Sequence, residues 1–222
     1  MQMSEARIYP CKKDPNEFGV PKIQVKLEAR IHPCKKDPNE FGVPDIIKGL
    51  FMYKKLPHIN LKEHYQFITF RTKDSIDFYL KKLENDLSLS NHIKQYKIDN
   101  YLDNSSLGAY INGHFIDNVK DIILENQSNL YEVIILCIMP NHIHILIKQF
   151  DDIDKIIKCI KAKTALRLNA KLNKKGSFWQ KGYYDKVIRD EKHFEKVYNY
   201  IYNNPIKAKL KDWERRVYSL YE

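Results

Sequence analysis

Cysteine is scarce in this chain, and its four cysteines lie far apart. They form neither a CxxC pair nor the spacing of a disulfide framework. The sequence therefore argues against a disulfide-stapled domain and against a structural zinc site. It also lacks any run of about 18 apolar residues, so no transmembrane helix is predicted, and its first residues lack the apolar segment of a secretory signal. We expect a protein of a reducing compartment, the cytoplasm of a bacterial-type cell.

Acidic residues are in deficit. The 222 residues include 38 Lys and Arg against 28 Asp and Glu, which gives a formal net charge of +10. The imbalance is greatest over residues 155–175, where eight cations and no acid occur. Such an excess favours a polyanionic partner, either nucleic acid or an acidic membrane surface, and lysine suits phosphate contact better than base reading. We expect nucleic acid, with association to the nucleoid, and no membrane.

The basic segment is predicted to be a helix that Asp151 or Asp152 caps. Apolar residues recur along it at helical spacing, which leaves its cations to contact DNA or RNA. In the loop that follows, Trp179 either stacks on a base or packs on the core. The candidate DNA-binding residues are Lys155, Lys158, Lys161, Lys163, Arg167, Lys171, Trp179 and Gln180.

A duplication sets the first 50 residues apart. Residues 5–21 return at residues 28–44 with His32 in place of Tyr9, and each copy contains three prolines and a glycine. Two copies are too few for a solenoid, and the prolines disfavour a helix. We predict a Pro-rich extension over residues 1–50, extended or disordered, and one domain over residues 51–222.

Within that domain the apolar patterns predict the order strand, helix, helix, strand, strand, helix, strand, helix. An Asn-rich loop is predicted for residues 88–105. The β-branched run 131–138 and the alternating run 142–147 flank a Pro-Asn turn, so two adjacent antiparallel strands are expected. The order fits an α+β fold of the ferredoxin-like type, an antiparallel sheet with helices on one face.

Two histidines begin the second strand of that pair. Side chains at i and i+2 of a strand point to one face, so His142 and His144 lie side by side, as two ligands of one metal ion would. A histidine-triad nucleotide hydrolase would need a third histidine two residues later. That position is Leu146, and this interpretation therefore fails.

The last predicted helix, residues 190–204, carries tyrosines on both sides of its apolar stripe. Tyr200 and Asn204 share one flank, and Tyr198 and Tyr202 share the other. A carboxamide oxygen together with two imidazoles suits Mg²⁺ or Mn²⁺ and leaves positions open for substrate oxygens. Such an ion polarises a phosphodiester, which a nearby tyrosine can attack. Spacing alone does not choose between the two flanks.

Three segments resemble the REP-associated tyrosine transposases, which are HUH-type single-strand DNA transposases related to those of bacterial insertion sequences. The segments are Met139–Ile147 (MPNHIHILI), Phe178–Asp190 (FWQKGYYDKVIRD) and Tyr200–Leu210 (YIYNNPIKAKL). They occur in the order that the family shows. One departure is Lys209, which stands where the family more often has glycine.

The resemblance implies a fold of the HUH endonuclease type with a metal site for Mg²⁺ or Mn²⁺. It implies that His142, His144 and Asn204 are the metal ligands and that Tyr200 is the nucleophile. The implied enzyme is a metal-dependent tyrosine DNA transposase and endonuclease, monomeric or homodimeric. It would cleave single-stranded DNA at or near hairpins through a covalent 5′-phosphotyrosine. The alternatives are a catalytically silent protein that binds hairpin DNA and an RNA-binding protein on the same fold.

Overall fold

The computed structural model describes residue 58, residues 60–125, residue 127 and residues 129–221. The predicted N-terminal extension and the predicted domain boundary near residue 51 lie outside these residues. In the part of the chain that is described, none of the helices has the length and apolar character needed to cross a membrane.

Among the described residues, five strands form one antiparallel sheet in the order β4-β1-β3-β2-β5. The strands are β1 (Tyr65–Arg71), β2 (Tyr131–Ile138), β3 (His142–Gln149), β4 (Tyr184–Val187) and β5 (Val217–Ser219). The helices are α1 (Phe78–Asn85), α2 (Asn91–Asn104), α3 (His114–Leu124), α4 (Ile153–Leu172), α5 (Glu191–Lys207) and α6 (Trp213–Arg216). The predicted α+β class with an antiparallel sheet is confirmed, as is the antiparallel pairing of the two strands around the Pro-Asn turn.

The two faces of the sheet are covered by different helices. Ile143, Ile145 and Ile147 of β3 point to one face and share a continuous apolar core with residues of α3 and α4. The intervening His144 points to the other face, where it contacts Asn204 of α5. Helices α3 and α4 therefore share one face of the sheet as expected, whereas α5 covers the opposite face. Cover on both sides is needed because β2 and β3 are buried almost throughout.

Helix α2 occupies most of the segment for which the sequence predicts a loop. Its Asn and Asp residues have low helix propensity, which is why the pattern does not indicate a helix. Ser90 caps its first turn, and Ile98 and Leu102 pack with α1 in a small apolar cluster. Tertiary packing thus overrides the local preference, and α2 comes to lie beside the histidine-bearing face.

Helix α5 begins at the cap that the sequence predicts, since the Asp190 side chain accepts a hydrogen bond from the backbone N–H of His193. The sequence also predicts that the helix stops before Pro205, but it continues to Lys207. A proline in the last turn removes one hydrogen bond without interrupting the turns before it. Asn204 is thereby held inside a regular helix rather than at its frayed end.

Candidate active site

The two histidines of β3 are completely buried beneath α5. The Nε2 atoms of His142 and His144 lie 3.0 Å apart, so both rings present the same nitrogen to one point. Burial lowers the pKa of His144 to about 3. Burial, together with His144 and Arg71, lowers the pKa of His142 well below its ordinary value. Both imidazoles are therefore neutral near pH 7, which is the state that binds metal ions.

Asn141 determines which nitrogen of His142 carries the proton. Its Nδ2 donates hydrogen bonds to the carbonyl oxygens of Leu102, Ser105 and Leu107, at 3.1, 3.0 and 3.3 Å, which fixes the orientation of the amide. Its Oδ1 therefore faces the Nδ1 of His142 at 2.7 Å and accepts a hydrogen bond from it. The Nε2 of the neutral ring keeps its lone pair, as a metal ligand requires.

Thr69 plays a similar part for the second ring. It is the cross-strand partner of His144 on β1, and its Oγ1 lies 2.8 Å from the Nδ1 of His144. A hydrogen bond at Nδ1 holds the ring with its Nε2 towards His142. Such second partners fix the orientation of histidine ligands in metal sites.

Helix α5 brings Asn204 and Tyr200 to the histidine pair. Asn204 is 1% exposed, and its Nδ2 lies 3.4 Å from the Nε2 of His144. The buried Oδ1 of Asn204 has no hydrogen-bond partner within the described part of the chain. The Tyr200 ring packs on His144 with the ring centroids 5.2 Å apart. The structure thus brings all four sequence-predicted site residues together on one face of the sheet.

These residues fit a divalent cation. Rotation of the Asn204 amide exchanges its nitrogen and oxygen, so the position can offer Oδ1 beside the two Nε2 atoms. Two neutral imidazoles with one amide oxygen leave positions open on Mg²⁺ or Mn²⁺. Across the described residues, no three His, Cys, Asp or Glu side chains form a group that could hold a metal ion. A centre at this point therefore depends on the amide of Asn204.

Helix α2 adds two carboxylates that sequence reasoning missed. Asp99 accepts a hydrogen bond of 2.9 Å from the Tyr200 hydroxyl, and an Asp103 oxygen lies 3.4 Å from the Nε2 of His142. Burial raises the pKa of each carboxyl to about 7, against the opposing effect of Tyr200 and Gln95 on Asp99. Burial and the Asp99 carboxylate raise the pKa of the Tyr200 phenol far above its ordinary value. The Tyr200 hydroxyl thus keeps its proton and shares it with Asp99.

Two cationic side chains lie near His142 and Tyr200. Arg71 is the cross-strand partner of His142 and shares its face of the sheet. The Nζ of Lys207 lies 6.0 Å from the centroid of the Tyr200 ring. Positive charge is therefore available beside Tyr200 even though the histidines are neutral.

The predicted DNA-binding residues lie elsewhere, because α4 covers the opposite face of the sheet. Lys155 pairs with Asp151, Lys161 donates to the carbonyl oxygens of Gln180 and Gly182, and Lys171 donates to Asn118. Lys158, Lys163 and Arg167 are exposed on α4. Trp179 is 3% exposed, and its Nε1 donates to the Thr164 hydroxyl at 2.9 Å. Of the two alternatives for Trp179, the structure shows packing on the core.

Comparison with known proteins supports the resemblance read from the motifs. The family model described as IS200-like transposase matches residues 107–204, which include His142, His144, Tyr200 and Asn204 but not α2. A Haemophilus influenzae protein described as a REP-associated tyrosine transposase is 28% identical over 37% of this chain and 56% of its own length. An uncharacterized protein of the same organism is 32% identical over 31% of this chain and 51% of its length. The chain thus spans about half the length of the curated relatives it matches. The family model and the first of these relatives confirm the resemblance to the REP-associated tyrosine transposases.

Two solved structures are similar at lower sequence identity. One is a REP-associated tyrosine transposase bound to a REP hairpin, with 18% identity, a TM-score of 0.42 and coverage of 70% of this chain and 74% of that chain. The other is a Deinococcus radiodurans protein described as a transposase, with 16% identity, a TM-score of 0.38 and coverage of 69% and 98%.

Proposed function

We propose that this chain is a metal-dependent tyrosine DNA endonuclease and strand transferase that acts on single-stranded DNA at or near hairpins. The observation that carries the proposal is the meeting of Tyr200, one helical turn from Asn204, with a buried histidine pair. The family match supports a transposase-like function and covers all of these residues. Tyr200 packs on His144 of the same chain, which supports a site that a monomer can form, and a homodimer is equally compatible with the proposal.

The proposed metal ligands are His142, His144 and Asn204, with Mg²⁺ or Mn²⁺ as the ion. Such an ion supplies positive charge that polarises the phosphodiester and stabilises charge on the transferring phosphate. Asn141 and Thr69 keep the two rings in the orientation and tautomer that the ligands need. Asp103 adds negative charge beside His142, which favours a cation at this point.

The Tyr200 oxygen attacks the phosphorus of the scissile phosphodiester. A bond forms between this oxygen and phosphorus, and the bond from phosphorus to the 3′ oxygen breaks. The phenol proton passes to the Oδ2 of Asp99, which already accepts its hydrogen bond, and the departing 3′ oxygen takes a proton from solvent. The products are a 5′-phosphotyrosyl link and a free 3′-OH, and the reverse reaction joins strands.

The test is a denaturing gel of the protein with a labelled single-stranded hairpin oligonucleotide that contains DNA flanking its gene. With Mg²⁺ or Mn²⁺ we expect a covalent protein–DNA band that is lost in Tyr200→Phe and lost on addition of EDTA. A band that persists in Tyr200→Phe refutes the assignment of the nucleophile. A band that EDTA leaves unchanged refutes the metal requirement.

The same samples distinguish the alternatives. Tight hairpin binding without a band, and without any effect of metal, would identify a silent binding protein. Competition between DNA and RNA hairpins of matched sequence would identify an RNA-binding protein, because the RNA would then displace the DNA at lower concentration.

A further inference from the structure

A cavity of about 650 Å³ opens beside Tyr200, between α2 and the segment that runs from β4 into α5. We propose that this cavity, called here the basic cleft, holds the unpaired strand that adjoins the scissile phosphate. Its size is within the range of ligand sites in proteins, roughly 300–1,000 Å³. The inference rests on the proposed function and adds to it the surface that binds the strand.

The charge of the basic cleft is what points to a nucleic-acid strand. Its lining includes Lys186, Arg189, Lys192 and Lys196. Among the residues that the structure describes, none of these four is in an ion pair with a carboxylate. Burial and the neighbouring Arg189 lower the pKa of Lys186, so a bound phosphate would stabilise its charged form.

The two acids in the lining already have partners. Asp190 accepts the capping hydrogen bond from the backbone of His193, and Asp99 accepts hydrogen bonds from Tyr200 and Gln95. The four cations of the lining still outnumber these two carboxylates, so the cleft keeps a net positive charge. The net effect is a positive field that ends at the nucleophile, which favours a polyanion.

The cations are arranged in a row that leads to the nucleophile. Lys192, Lys196 and Tyr200 are four residues apart on α5, so they follow one side of the helix in steps of about 6 Å. A strand with one phosphate at Tyr200 places its next phosphates along Lys196 and Lys192. This arrangement positions the scissile phosphate as well as attracting it.

Tyr96 of α2 extends the basic cleft with an aromatic surface. It is 65% exposed and lines both the cleft and a second cavity of about 280 Å³ that also contains Tyr79 and Tyr101. Exposed tyrosines beside a basic groove serve as stacking platforms for unpaired bases, whereas paired bases are not available to them. The ligand class is therefore single-stranded nucleic acid rather than a duplex.

The experiment measures binding in the Tyr200→Phe protein, in which no covalent link can form. The probe is a fluorescent oligothymidylate of about ten nucleotides, within the roughly 4–16 nucleotides of single-strand sites, and the readout is anisotropy over a salt series. Lys192→Glu/Lys196→Glu is compared with Lys158→Glu/Arg167→Glu on α4, which makes the same change in net charge on the opposite face. Circular dichroism checks that each protein is folded, and the corresponding glutamine pairs replace any variant that is not.

We expect the cleft pair to weaken binding by about tenfold or more and to lower the salt slope by about 1.4, since each single-strand phosphate contact contributes roughly 0.7. The α4 pair should change binding by less than about threefold, within the effect of long-range charge alone. Tyr96→Ala should weaken binding by about fivefold or more through lost stacking. Equal losses in the two pairs, or no loss in the cleft pair, would overturn the proposal.

The gel assay run in parallel separates this inference from the proposed function. A wild-type covalent band with unchanged binding in the cleft pair would refute the basic cleft alone. Binding that depends on the basic cleft, without any wild-type band, would refute the proposed chemistry alone.

Discussion

The two faces of the sheet are equally buried but differ in chemistry. Towards α3 and α4, β3 presents Ile143, Ile145 and Ile147, and the core there is almost entirely apolar. Towards α5, the same strand presents His142 and His144, both with no exposed surface. Burying polar groups costs free energy unless each finds a partner, so the second face contributes less to stability than its burial suggests.

The difference teaches that one strand serves two purposes. Ile143, Ile145 and Ile147 hold the fold together, and His142 and His144 form part of the candidate site. The polar face stays intact because its groups satisfy one another, as Thr69 and Asn141 do for the histidine rings. Within the described residues, the buried Oδ1 atoms of Asn204 and Asp103 lack a hydrogen-bond partner, and a cation between them and the histidines would complete the set.

The largest expected effect is a loss of stability on the apolar face. Ile145 has no exposed surface, and Ile145→Ala leaves a cavity between the sheet and the helices above it. We expect the free energy of unfolding to fall by about 2–5 kcal/mol, measured by urea denaturation.

The matched change on the polar face is Thr69→Val, which keeps the shape of the side chain and removes its hydroxyl. We expect the free energy of unfolding to fall by about 1–3 kcal/mol, because the buried Nδ1 of His144 loses its hydrogen-bond partner. Metal affinity should fall by about 10- to 100-fold, because that contact also orients the ring. Calorimetric titration with Mn²⁺ measures that affinity. An unchanged Mn²⁺ affinity in Thr69→Val, or an equal fall of that affinity in Ile145→Ala, would contradict the division of roles between the faces.

The next largest effect concerns Asp99. Because Asp99 accepts the phenol proton in the proposed step, Asp99→Asn should slow formation of the covalent band by about 10²-fold or more. Oligonucleotide binding should not weaken, since the change removes a negative charge from the lining of the basic cleft. Single-turnover gels measure the rate, and Asp99→Glu should restore part of it. An unchanged rate in Asp99→Asn would show that the proton leaves by another path.

The pH dependence provides a second readout for Asp99. Burial raises the pKa of the Asp99 carboxyl to about 7, although the hydrogen bonds from Tyr200 and Gln95 act in the opposite direction. Its basic form therefore grows as pH rises, so the rate should increase about tenfold per pH unit below 7 and level off above it. Gln95→Met removes a hydrogen bond that lowers the pKa of Asp99, and the inflection should then move to higher pH. A profile that remains inflected near pH 7 in Asp99→Asn belongs to another group.

The apolar face of β3 and the histidines on its other face were predictable from sequence, because both follow from the alternation of side chains along a strand. Alternation along residues 142–147 predicts which side chains share a face, and spacing on the last helix predicts that Tyr200 and Asn204 are neighbours. The same spacing extends back to Lys196 and Lys192, so that part of the basic cleft could have been found. The charge run of α4 is denser in the sequence, but that helix covers the other face of the sheet.

The contribution of α2 could not be predicted. Its polar, Asn-rich sequence shows no clear helical stripe, and helix formation depends on the packing of Ile98 and Leu102 against α1. No local pattern indicates that Asp99 and Asp103, far from the motifs in sequence, lie beside Tyr200 and a histidine. Contacts between distant segments depend on the whole fold rather than on residue spacing.

The smallest expected effect is a change in the free energy of unfolding on substitution at the end of α5, just beyond Asn204. Lys209 has a φ of +54°. The backbone N–H of Leu210 donates to the carbonyl oxygen of Pro205 at 3.0 Å, and the N–H of Lys209 donates to the carbonyl oxygen of Ile206 at 2.9 Å. This is the C-terminal pattern that favours glycine at the left-handed position. Lys209→Gly should raise the free energy of unfolding by about 0.5–1 kcal/mol, because relief of side-chain strain exceeds the added entropy of the unfolded chain. Lys211→Gly, at an exposed position without positive φ, should give no gain, and a gain of equal size there would show that the strain at Lys209 is not the cause.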